Sequence, residues 1–69
     1  MSPDWPLMRR ILALLADEGG LADVEIAERL GRPATDVQQA ARVLYRQRKV
    51  DLVAGYLVIA PRREGRPAA

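Results

Sequence analysis

Six polar residues near the middle of the chain have types and spacing that could do chemistry: Thr35, Gln38, Gln39, Arg42, Arg46 and Lys49. On an α-helix each residue advances about 100°. These six then gather on one side, with Val37, Ala40, Ala41 and Leu44 opposite. No carboxylate falls within the polar arc; Asp36 lies towards its flank, in the first turn, where negative charge complements the helix dipole. Such a set suits the edges of base pairs. Arg42 can offer a bidentate fork to guanine, and Gln38 or Gln39 can match the donor and acceptor of adenine. Thr35 is placed for a phosphate or a thymine methyl group, Arg46 and Lys49 for phosphates that fix register rather than sequence. Any solvated helix also shows a polar face, so the weight of the pattern depends on the elements that carry it.

Those elements can be read in order. Ser2 or Asp4 can cap a first helix running from Pro6 to Glu18, with Leu7, Met8, Ile11, Leu14 and Leu15 as its inward stripe. Gly19-Gly20 ends it. Leu21 falls in a short extended stretch. A second helix spans about Asp23 to Leu30, with Ile26, Ala27 and Leu30 inward and Ala22 where a capping hydroxyl would be expected. Gly31 stops it, and Pro33 opens a third helix from about Ala34 to Arg48. Two helices joined by a tight glycine-containing turn form a helix-turn-helix unit. Val50–Val53 and Tyr56–Ile59 flank Ala54-Gly55 and predict a β-hairpin. Pairing Val53 with Tyr56 sets Leu52 opposite Leu57 and Val50 opposite Ile59, four residues on one face that can close over the helices. The predicted fold class is α+β, mainly α: residues 1–60 form one domain of three helices and a C-terminal two-stranded wing, and 61–69 a mobile basic tail.

The segment Glu25-Ile26-Ala27-Glu28-Arg29-Leu30-Gly31-Arg32-Pro33, followed by Val37, Leu44 and Val50, resembles the winged helix-turn-helix domains of MarR-like and IclR-like bacterial transcription regulators. The likeness covers approximately residues 6 to 59. It implies a DNA-binding domain whose third helix enters the major groove. Two positions depart from the pattern. Lys49 stands where these families often have glycine after the recognition helix, and the wing tip Ala54-Gly55 carries no cation for phosphate.

Composition narrows the classes further. The 69 residues hold no cysteine and no histidine, so neither disulfides nor thiolate or imidazole metal sites are expected. The formal charge is +2 and the pI near 9.7, with all basic residues but Lys49 being arginine. The expectation is a cytoplasmic protein, because no signal-peptide pattern opens the chain and the longest apolar run is far shorter than a membrane span. No catalytic residues, cofactor, metal or membrane are expected; the expected partner is double-stranded DNA. In the tail, Arg62, Arg63 and Arg66 could follow a phosphate backbone. The acidic cluster Asp17, Glu18, Asp23, Glu25 and Glu28 is expected on the side away from the basic helix. A second surface competes with the first. Trp5, Met8 and Leu12 on the first helix, and Val53, Tyr56 and Val58 on the outward hairpin face, form apolar stripes outside the expected core, which suits a homodimer or a protein partner. The alternative function is therefore a protein-interaction module.

Overall fold

The computed structural model describes residues 4–61. Three helices are followed by a hairpin: α1 (Trp5–Glu18), α2 (Asp23–Leu30), α3 (Ala34–Arg46), β1 (Val50–Val53) and β2 (Tyr56–Ile59). This is the α+β, mainly helical layout expected from the sequence.

Each boundary has a local cause. Asp4 caps α1, its Oδ1 accepting from the Leu7 N–H at 3.2 Å; the helix then begins at Trp5, with Pro6 in the first turn, where its missing N–H costs nothing. Ala22 has no side chain to cap α2. Only the reciprocal half of a capping box remains, the Ala22 N–H donating to Glu25 Oε1 at 3.0 Å. Gly31, at φ 65° and ψ 38°, closes α2 in the left-handed region. The Arg32 N–H then reaches back to the Ala27 carbonyl at 3.0 Å, which satisfies an otherwise orphaned acceptor.

The end of α3 differs from the expectation. The helix stops at Arg46 rather than Arg48, and the left-handed position is Arg48, at φ 61°, one residue before Lys49. The Arg48 N–H donates to the Tyr45 carbonyl (3.0 Å) and the Lys49 N–H to the Leu44 carbonyl (2.9 Å), the same closure that Gly31 makes on α2. Here an arginine accepts a conformation that usually falls to glycine.

The core lies between the helices and under one part of the hairpin. Leu7, Met8, Ile11 and Leu15 face it from α1, Ile26 and Ala27 from α2, and Val37, Ala40, Ala41 and Leu44 from α3. Met8, whose spacing fits both the inward stripe and an outer one with Trp5 and Leu12, belongs to the inward one, 1% exposed. The hairpin has the expected register, Val50 opposite Ile59 and Leu52 opposite Leu57. Its inner face is only half used: Val50 and Leu57 are buried, while Leu52 and Ile59 are exposed. Twist in a two-stranded ribbon is strong, and one diagonal of four residues is what a narrow helical layer can cover. A third extended segment completes the sheet. Leu21 forms an isolated antiparallel bridge with Leu57, donating to its carbonyl at 3.1 Å and accepting its N–H at 2.8 Å. Gly20 lets this approach happen, since a Cβ there would stand 3.1 Å from Val58 Cγ1. Among the described residues no helix is long and apolar enough to cross a membrane.

Candidate nucleic-acid interface

The face of α3 turned away from the core carries Thr35, Gln38, Gln39, Arg42 and Arg46, all exposed. Val37, Ala40, Ala41 and Leu44 anchor the opposite face, so the outward orientation of the polar residues follows from burial of their neighbours. Lys49 is the exception to the expected arc. It follows the left-handed Arg48 and leads into β1, so it is not on the helix face. Together with Arg46 and Arg48 it borders an open groove of ≈ 1100 Å³ between α1, the end of α3 and the hairpin. Arg48 was missed by the helical arc because the arc assumes regular geometry through the turn.

The ionic pattern separates the arginines into two groups. Arg29 pairs with Glu18 at 3.1 Å, tying α2 to α1. Arg32 bridges Asp4 (3.0 Å) and Asp36 (3.1 Å), which joins the start of α1 to the first turn of α3. The hydrogen bond from Arg32, followed by that from the Leu7 N–H, holds the Asp4 carboxyl below its ordinary pKa. Asp36, the carboxylate in the first turn of α3 itself, is thereby compensated. Among the described residues, Arg42, Arg46, Arg48 and Lys49 take part in no ion pair. Arg29 and Arg32 thus join helices, while the cations at the end of α3, like Arg9 and Arg10 on α1, are exposed and unpaired among the described residues.

No family model, curated protein or solved structure matches the chain. The assignment of a function therefore rests on the geometry of the chain itself.

A cleft of ≈ 470 Å³ separates α3 from the hairpin, lined by Asp23, Gln38, Arg42, Tyr45, Leu52 and Leu57 among others. Tyr45, which the sequence reading did not single out, is 55% exposed beside it. Asp23 was expected with the other acidic residues on the side away from α3. It instead reaches the α3 face, its Oδ2 accepting from Gln38 Nε2 at 2.9 Å while Oδ1 accepts from the Val24 N–H at 2.8 Å. Sequence spacing could not reveal this, because it depends on how α2 crosses α3.

The apolar candidates divide as well. Trp5, Val53 and Tyr56 are exposed. Leu12 is half-buried against the core and lines the larger groove. Val58, on the outer hairpin face, is half-buried, with Gly20 close beside it. Arg62, Arg63 and Arg66 lie outside the described residues. Among the described residues no group of three or more His, Cys, Asp or Glu side chains is arranged to hold a metal ion.

Proposed function

We propose that this chain is a winged helix-turn-helix domain that binds double-stranded DNA, with α3 in the major groove. The observation that carries the reading is the outward face of α3. Thr35, Gln38, Gln39 and Arg42 stand exposed along one side of a well-anchored helix, and the cations at its end are uncommitted to any carboxylate among the described residues. Arg42 and the two glutamines supply base-edge chemistry. Arg46, Arg48 and Lys49 supply phosphate contacts, and the exposed hairpin beside them would follow the flanking backbone.

Titration of labelled random-sequence duplex by fluorescence anisotropy at two salt concentrations tests this. Binding is expected at low salt and should weaken steeply as salt rises, because each neutralised phosphate releases counterions. Replacing Arg42 and Arg46 together by alanine is expected to lower affinity at least tenfold, on the order of 1–3 kcal/mol for the base contact and one unit of salt slope for the phosphate contact. A folded protein with no affinity at low salt overturns the reading.

A second reading has its own support. Leu52 is 61% exposed and Val53 55% exposed, with Tyr56 adjacent, which makes an apolar edge unusual for a wing that meets phosphates. A protein-interaction module would use that edge. Val53→Asp or Tyr56→Asp would then be the damaging change, and Arg42→Ala would be silent.

A further inference from the structure

Among the described residues, Gln38 is the one neutral side chain of the α3 face that is held by a charged partner on another helix. Resting on the DNA-binding reading above, we propose that Asp23 determines which base Gln38 reads, selecting adenine against guanine.

An ionised Asp accepts hydrogen bonds and donates none. Facing it, the Gln38 amide must present its NH2 group, since its oxygen would be repelled; the 2.9 Å contact from Nε2 to Oδ2 has that polarity. One N–H is then occupied, and the amide presents Oε1 together with its remaining N–H. Asp23 is itself steadied, because its other oxygen accepts from the Val24 N–H at the start of α2. The orientation is therefore set from α2, by an element that need not touch the base.

An amide fixed in this way has a preferred partner. Adenine offers the major groove an exocyclic amino donor beside the N7 acceptor, which complements an oxygen and an N–H. Guanine offers two acceptors, O6 and N7, and would set O6 against Oε1 and near the Asp23 carboxylate. A free glutamine could turn its NH2 group to guanine and lose little. With Asp23 in place that rotation breaks a charge-assisted hydrogen bond. Arg42, one helical turn further along the same face, retains the chemistry for guanine, so the two residues read different bases at neighbouring steps. Asp23 is thus a positioning residue. Its negative charge opposes phosphate generally, and what it contributes is discrimination.

Those two effects have opposite signs, which makes the idea testable with Asp23→Asn. A binding site is selected from a random duplex library with the full chain, and each adenine in it is replaced in turn by guanine. Anisotropy then gives the affinity of the wild type, Asp23→Asn and Gln38→Ala for every duplex. In the wild type, one replacement should cost about tenfold or more. In both variants that cost should fall to about threefold or less with other positions unchanged, while Asp23→Asn binds random duplex as tightly as the wild type or more tightly. Gln38→Ala is exposed and favours helix, so it reports even if Asp23→Asn folds poorly. Unchanged discrimination in folded Asp23→Asn, or a uniform loss at all positions, overturns the proposal. If the wild type binds duplex but no adenine position responds to Gln38→Ala, this inference alone falls. If it binds no duplex at low salt, the DNA-binding reading falls too.

Discussion

Among the described residues, Arg48 and Ala54 hold backbone conformations that L side chains seldom adopt. Arg48 has φ 61° and Ala54 φ 52°, the latter followed by Gly55 at φ 85° in a two-residue hairpin loop. Positive φ at both loop positions is the type I′ geometry, where asparagine followed by glycine is favoured. Each site stores strain of order 1 kcal/mol. Ala54→Asn and Arg48→Gly should therefore each raise the unfolding free energy by about 0.5–1 kcal/mol, read from thermal or denaturant melts. Arg48→Gly should at the same time weaken DNA binding, because it removes a cation from the end of α3. A stabilised variant with unchanged affinity would show that Arg48 touches no phosphate. Asp4 gives a pH-dependent case. Its folded pKa is depressed by Arg32 and the Leu7 N–H, so its contribution is present above the ordinary carboxylate pKa and is lost as pH falls through the folded value. Asn can still cap a helix but cannot pair with arginine. Asp4→Asn should accordingly narrow the difference in melting temperature between about pH 6 and pH 2.

At the scale of elements, the sequence was most legible where a periodic pattern is set by burial. The two faces of α3 and the hairpin register both follow from apolar residues recurring at helix or strand spacing, and both are present in the structure. Legibility stopped where geometry between elements decides. Met8 fitted both an inward and an outer stripe, because spacing along α1 says nothing of how much of its circumference the other helices cover. Leu52 and Ile59 looked buried because strand alternation gives a face and not its area of contact. Lys49 looked helical because the spacing carries no mark of Arg48 turning left-handed. Asp23 looked remote for the same reason, its place beside Gln38 being a property of the α2–α3 crossing. Gly20 belongs to this level: it read as a helix terminator, yet it also lies close under β2, where a Cβ would crowd Val58. Gly20→Val would drive its methyl groups into Val58 and the Leu57 carbonyl. It should cost about 1–3 kcal/mol, as overpacking typically does, and lower DNA affinity beyond the loss of fold if the hairpin is part of the interface. Circular dichroism alongside anisotropy separates the two effects.

The whole molecule draws its stability from one small core without cysteine. About 60 ordered residues support a net stability of roughly 3–9 kcal/mol. Ile26, fully buried where the three helices meet the core, would lose about 2–5 kcal/mol on truncation to alanine. Ile26→Ala should leave a measurable unfolded population at room temperature, seen as a sloping pretransition baseline or a lost near-ultraviolet signal from Trp5, Tyr45 and Tyr56. On the DNA-binding reading, duplex DNA should restore the folded signal as its concentration passes the Kd, levelling off once all chains are folded, by mass action. The bridge between Leu21 and Leu57 adds a temporal order to this picture. Helices and hairpin turn can each form from neighbours in the chain, but those two backbone hydrogen bonds join residues on opposite sides of α2 and α3 in the sequence. Closing that long loop is repaid only after the intervening helices have packed. The hairpin is therefore the last part of the molecule to be secured during folding, and a nascent chain carries α3 for some time before the hairpin closes over the core.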